Sequence, residues 1–368
     1  MRLTKYCRLG LISLVLIVSM SGCWDIIPVE DRALVIMMGL DRNDGNIRLS
    51  VQVPTIKNLI QTASTFTDRQ KPTFKLFVAE SPSLLEDIQQ LEDRIFQSMI
   101  IGTVKIIIIS PQMAGADLID NLTILLRQPM VSFQTLVLCA DNRADEIVRL
   151  EAPFDIQPGL MLGKQQLSAL KMARSFPIRL WDFVARVDNG ITDPFLPIIK
   201  VDSENKSYLL EGIKVFHLDK LVGTLDPEES YLFGMLMNKI EEGYKEIDVN
   251  NKMIGLGKVE YKTKIGIRKH QQQNRMQIEV NTRGTLLQIP KGFPNRVETY
   301  QLVKQEMEKQ LKREVLSVVK RFQRLDTDPV GFRKHMEIAG IKNWSEAYPS
   351  IPVDVEVHFA FRNLSPAF

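Results

Sequence analysis

Cysteine is scarce in this sequence, with three among 368 residues, at positions 7, 23 and 139. A framework of disulfides is thereby excluded. Histidine is almost as sparse, and His217, His270, His335 and His358 are too scattered to give an H-E-x-x-H or Cys/His metal spacing. There is no acidic loop of calcium-binding type, no G-x-S-x-G and no Walker A sequence. Gly255-Leu256-Gly257 runs on into Lys-Val-Glu without a third glycine, so it is expected to be a loop rather than a dinucleotide site. Neither metal nor cofactor is expected, and the chain shows no repeat and no low-complexity segment.

An excess of charge is missing too. The 47 Lys+Arg stand against 44 Asp+Glu. Arg2, Lys5 and Arg8 supply the whole surplus, so without residues 1–22 the cations also number 44. A neutral chain has no general field to gather phosphate backbones, and nucleic acid is not an expected partner. No long apolar run is present either: Leu9 to Met20 is too short to span a bilayer of about 30 Å.

What that segment does have is a basic start, an apolar middle and the small residues Ser21 and Gly22 before Cys23, the pattern of a secretory signal. Met20-Ser21-Gly22-Cys23 resembles the bacterial lipobox, with Met in place of the commoner Leu. Signal peptidase II would cut between Gly22 and Cys23. The Cys23 thiol would carry a diacylglycerol, with N-acylation of the new terminus, and two chains anchor stably where one binds reversibly. Trp24 and Asp25 would then lie at the membrane interface and among the headgroups. Cys139, in the apolar run "TLVLCA", is expected to be plain core.

The length implies two or three domains, and 45% apolar with 25% charged residues is the balance of a globular protein. Residues 33–41 and 46–54 read as a hairpin around Asp44-Gly45, 74–80 as a third strand, and 57–72 as a polar loop. A capping-box spacing from Ser83 to Glu86 opens an amphipathic helix. The run "VKIIIIS" (104–110) reads as a strand covered on both faces, followed by a helix over about 112–127 and a strand over 133–140. Residues 143–186 read as mostly helical. The turn-rich segments 188–197 and 202–207 place a domain limit near residue 203.

Beyond it come a hairpin (208–217 and 220–225), a helix opened by Asp226-Pro227-Glu228-Glu229, and two long strands (258–270 and 275–289). Val303, Met307, Leu311, Val315, Val319 and Phe322 form the stripe of a helix over 296–325, expected to cover the second sheet. "IPVDVEVHFAF" alternates as a half-exposed last strand. The fold class is therefore α+β or mixed α/β and multi-domain, with mixed sheets flanked by helices and a largely antiparallel C-terminal sheet backed by one long helix. Its parts are a signal (1–22), an N-terminal α/β region (23–200) with a break expected near 150–190, and a C-terminal domain (205–368). Asp354 and Glu356 share a strand face, but two acids on a wet strand are more often solvent-facing than catalytic, and no enzyme is expected.

Taken together, "GCWD" with Glu30, Gly39-Leu40-Asp41, "GTVKIIIIS", "LLEGIKVFHLDKLVGTLDPEES" and "DTDPVGFRKH…NWSEAYPSIPVDVEVHF" resemble the Ger(x)C lipoproteins, with Trp344 and Tyr348 at positions commonly aromatic there. These proteins are the C subunits of spore germinant receptors. The resemblance implies three small domains and a lipid anchor at Cys23 on the outer face of the spore inner membrane. It implies as partners the membrane A subunit and the transporter-like B subunit of the receptor, in a non-catalytic scaffold or signal-transmission role in nutrient-triggered germination. Direct nutrient binding by this chain is not expected. The alternatives are an extracytoplasmic solute-binding lipoprotein and, further off, a cortex or wall hydrolase, which would need an acid pair in a cleft.

Overall fold

A computed structural model describes residues 31–55, 74–95, 97–116, 118–128, 131–151, 158–171, 174–270, 273–290 and 297–362. The leader, Gly22, Cys23, Trp24, Asp25, Glu30 and the polar loop 57–72 lie outside the described residues. In the first part the order is β1 (Arg32–Leu34), β2 (Met37–Asn43), β3 (Asn46–Pro54), β4 (Phe74–Ser81), α1 (Leu84–Ile95), β5 (Ser98–Ile100), β6 (Ile106–Ile109), α2 (Pro111–Ala114) and α3 (Leu118–Arg127). There follow β7 (Leu136–Ala140), α4 (Ala144–Arg149), α5 (Pro158–Lys171), β8 (Ile178–Arg179), α6 (Leu180–Asn189), β9 (Phe195–Asp202), β10 (Ser207–His217) and β11 (Lys220–Leu225).

Nine of these strands build a mixed sheet in the order β11-β10-β9-β7-β6-β2-β3-β4, with β8 alongside β7, while β1 and β5 pair separately in parallel. β2, β6, β7 and β9 run parallel, while the outer pairings are antiparallel. β6 explains the all-isoleucine run: Ile107 and Ile109 enter the core on one face, Ile106 and Ile108 that on the other. A strand covered on both faces by crossover helices needs no polar alternation. The expected helix over 112–127 is two helices, α2 and α3, the first capped by Ser110, whose Oγ accepts the Met113 N–H at 3.2 Å. At the β2–β3 turn Asp44 and Gly45 both take positive φ (44° and 89°), as a two-residue hairpin loop requires.

The second part contains α7 (Pro227–Leu236), β12 (Gly243–Val249), β13 (Lys252–His270), β14 (Gln273–Gln288), α8 (Val297–Arg324), α9 (Phe332–Ile338), α10 (Trp344–Ala347) and β15 (Val353–Phe361). α7 starts where Asp226, Pro227 and Glu229 place it: Asp226 Oδ1 accepts the Glu229 N–H (2.8 Å) and Glu229 Oε2 accepts the Asp226 N–H (3.1 Å). Its four-stranded sheet runs β12-β13-β14-β15, antiparallel except for the parallel pairing of β15 on β14. All six stripe residues of α8 are buried, joined by Val318 and Thr299. At about 1.5–3 kcal/mol for each large apolar side chain, that stripe is the main attachment of the helix.

Gly255-Leu256-Gly257 is not a loop. It lies within β13, where the ladder to β14 shifts register at Gly255/Leu256 and again between Gly257 and Glu260. A β-carbon on Gly257 would fall 2.1 Å from the Leu287 side chain, so the glycine admits a close approach across a bulged strand. The polar stretch at 203–206 is the turn of the β9–β10 hairpin, with Asp202 paired to Ser207, and the nine-stranded sheet runs across it. One apolar core also continues from that sheet through α6, β10 and α7 to α8 and the second sheet. Phe233 marks the crossing, edge-on to Phe176, Phe195 and Phe322.

Candidate functional site

The residue types with chemical potential lie mostly apart. Cys139 is fully buried in β7, and burial pushes its thiol up to about 12. Asp354 and Glu356 both face solvent on β15. Arg275 grips Asp354 with two bonds of 2.6 and 2.7 Å and holds its carboxyl below the usual range, so Asp354 serves an ion pair. No three His, Cys, Asp or Glu side chains gather to hold a metal ion among the described residues.

The densest polar constellation lies in two segments whose composition is that of turns. Thr192-Asp193-Pro194 and Thr327-Asp328-Pro329 are identical triplets that meet face to face. The Asp193 N–H donates to the Asp328 carbonyl (2.9 Å), and the Asp328 N–H donates to Asp193 Oδ2 (2.7 Å). Asp193 Oδ1 accepts from the Leu218 N–H (2.8 Å), and the Asp328 carboxylate accepts the N–H groups of Gly331 (2.8 Å) and Arg333 (2.6 Å). The Asp41 carboxylate does similar work in the first sheet, accepting the Ala144 and Asp145 N–H groups (2.8 and 2.9 Å) at the start of α4.

Arg333 supplies the cation of this junction. Its Nη1 donates to Asp193 Oδ2 (2.8 Å) and its Nη2 to the carbonyl and Oδ1 of Asp326 (2.9 and 2.8 Å). The guanidinium sits 4.9 Å from the centre of the Tyr348 ring, whose hydroxyl donates to the Thr327 carbonyl (2.9 Å). Arg186 reaches from α6 to the carbonyls of Asp193 and Pro329 (3.3 and 3.1 Å). Burial pushes the Asp328 carboxyl up to about 6 against the pull of its N–H donors and Arg333. With its oxygens engaged and Arg333 only 1% exposed, the junction has no room for a substrate. It locks the α6–β9 and β10–β11 turns to the segment after α8. The signal that could have found it is the repeated Thr-Asp-Pro triplet followed by a lone Arg.

The open ground is the outer face of the second sheet. A concave region of about 770 Å³ is lined there by Glu260, Lys262, Lys264, Glu279, Arg283 and His358, among others. Lys264 approaches Glu279 at 3.8 Å, and Glu260 pairs with Arg362. Asn281 donates to Glu279 (2.7 Å) and, with Lys264, keeps that carboxyl low. Cations and anions alternate across this wet face without a nucleophile beside a base.

Both parts of the chain match known families in the order in which they occur. A family described as "Spore germination protein N-terminal domain" matches residues 25–201, and one described as "Spore germination B3/ GerAC like, C-terminal" matches residues 211–364. The chain belongs to the Ger(x)C family. This Ger(x)C chain is 24% identical to the putative spore germination protein YfkR of Bacillus subtilis (strain 168), over 94% of its own length and 92% of that protein's. It is 21% identical to spore germination protein KC of the same organism, over 98% and 96%. The crystal structure of the GerBC protein covers 89% of the chain and 97% of its own with a TM-score of 0.57 at 18% identity, which establishes a shared fold. The boundary between the two family matches falls at the β9–β10 hairpin and the start of β10. No helix among the described residues is long and apolar enough to cross a membrane.

Proposed function

We propose that this Ger(x)C chain is the lipid-anchored C subunit of a nutrient germinant receptor, a non-catalytic component required for nutrient-triggered spore germination. The observation that carries the proposal is the joint match of both family halves over nearly the whole chain, with relatives named as spore germination proteins. Cys23 would bear the lipid after cleavage at Gly22, and the protein would sit on the outer face of the spore inner membrane beside the A and B membrane subunits. Two features suit a scaffold: a locked junction between the two sheets, and an exposed charged face on the second sheet.

The test is mild crosslinking of spore membranes followed by purification of this chain. Recovery of polytopic receptor subunits supports the assembly; their repeated absence, under conditions that preserve other membrane complexes, counts against it. A Cys23→Ala chain that still resides in the membrane and still supports germination at the normal rate would remove the anchoring part.

A further inference from the structure

The sheet end by which the chain enters carries exposed aromatic residues. Met37, Ile106 and Leu136 share one row of the nine-stranded sheet, and the pairing of Cys139 with Ile198 brings Phe195 level with them. This rim is closed by bonds from the Lys105 N–H to the Ile36 carbonyl (2.9 Å), the Leu136 N–H to the Lys105 carbonyl (2.9 Å) and the Leu180 N–H to the Thr135 carbonyl (2.8 Å). Phe133, two residues before Thr135, is 62% exposed, and Trp181, next to Leu180, is 44% exposed. The bond from Leu180 to Thr135 therefore sets two large aromatic residues on adjoining segments of the rim.

Lys105 and Arg179, both exposed, belong to the same rim, since the Lys105 carbonyl accepts the Leu136 N–H, Arg179 pairs with Leu136 and Trp181 follows Arg179 by two residues; the exposed Arg127 ends α3 six residues before Phe133 in the chain. Aromatic rings flanked by cations are the composition of a membrane interface, where the ring lies at headgroup depth and the cation meets lipid phosphate. The geometry of entry selects a bilayer as occupant. Arg32, the first residue of β1, pairs with Ser98 of β5, directly before this rim. Cys23 precedes it by nine residues, which extend to at most about 30 Å. The opposite end of the sheet, at Asp202 and Ser207, is seven residues of strand further on, about 23 Å.

We propose that Phe133 and Trp181 form a second, interfacial contact with the bilayer that orients the protein on its lipid anchor. This rests on the reading of Cys23 as the lipid-bearing residue. One covalent tether fixes distance without direction, and a pair of inserted rings on a rigid sheet end adds the direction.

The test uses the full chain, purified as the lipoprotein and reconstituted in phosphatidylglycerol/phosphatidylethanolamine vesicles with or without brominated acyl chains. Trp24→Phe with Trp344→Phe leaves Trp181 as the emitter. Replacing Trp181 by Phe as well allows Phe133→Trp as a second probe, and Leu209→Trp, exposed at the opposite sheet end, as control. The expected result is loss of emission from positions 181 and 133 in brominated vesicles and none from position 209. Vesicle-bound protein in which positions 181 and 133 are quenched no more than 209 overturns the membrane contact and leaves the anchor intact. Protein that lacks the lipid mass on Cys23 and does not float with vesicles overturns both, and flotation with mass measurement identifies the anchor as the failing step.

Discussion

Arg333→Ala tests whether the Thr-Asp-Pro junction holds the fold together. The guanidinium is 1% exposed and is the cation between Asp193, which is sealed from solvent, and the half-exposed Asp326. Alanine removes its bonds to both and its packing over Tyr348 while leaving the Asp193 and Asp328 carboxylates in place. Breaking a buried pair from one side costs about 3–5 kcal/mol, because the Asp193 carboxylate keeps its N–H donors but stays out of water without its buried cation. For a domain of about 150–250 residues each kcal/mol moves the melting midpoint by about 2–4 °C, so a fall of roughly 6–20 °C is expected.

Thermal and urea unfolding followed by circular dichroism would measure it, and pH supplies the sign. Burial already raises the Asp328 carboxyl from its ordinary value to about 6, and Arg333 is one of the groups that hold it down. Losing Arg333 moves it higher. An acid raised by folding favours the folded state when protonated and loses that advantage as pH rises through the folded value. The deficit of Arg333→Ala should therefore be larger at pH 8 than at pH 5. In a cycle with Asp193→Asn the double variant should lose less than the two singles added. A loss below about 1 kcal/mol, within the range of an ordinary surface pair, or a deficit unchanged between those pH values, would refute the reasoning.

Asp226→Ala removes the acceptor of the Glu229 N–H and opens the capping box of α7, with an expected loss of about 1 kcal/mol in urea unfolding. Gly234→Ala places a methyl group 1.9 Å from the Phe176 ring at the point where the core crosses between the sheets, and should cost about 1–3 kcal/mol; an unchanged midpoint would mean that this contact is loose. Asp87 is buried with neither carboxylate oxygen hydrogen-bonded among the described residues, since the Ser81 hydroxyl donates to the Ser83 carbonyl (2.7 Å), and burial pushes it up to about 6. Its ionisation weakens the folded state progressively above about pH 4, so Asp87→Asn should gain stability at pH 7.5 and little at pH 4. Cys139, with its thiol pushed up to about 12, should resist alkylation at pH 8 in the native chain and react after denaturation, as read from peptide masses.

Whatever depends on neighbours along the chain was legible in the sequence. The stripe of α8, the cap at Asp226, the alternation of β15 and the double-sided burial of β6 each follow from a period or a local bond, and the structure places them within a few residues of expectation. What depends on residues far apart was not. Glycine is neutral between a loop and a bulged strand, and only the register of β13 on β14 decides for Gly255-Leu256-Gly257. Asp, Asn, Gly and Pro in segments 188–197 and 326–331 have the composition of turns, and the chain does turn at 190–194 and 326–331, yet Asp193 and Arg333 meet across 140 positions. A buried carboxylate there looks in sequence like any solvated one, since its desolvation is created by the partner segment. The same logic separates the two surfaces open to a partner. The wet face of the second sheet announces itself through alternation, whereas Phe133 opens the strand expected over 133–140 and Trp181 falls in the mostly helical 143–186, and neither position by itself separates a surface residue from one in the core. Only the closure of the rim by Thr135 and Leu180 leaves their side chains outside that core, at the end of the sheet nearest Cys23 along the chain.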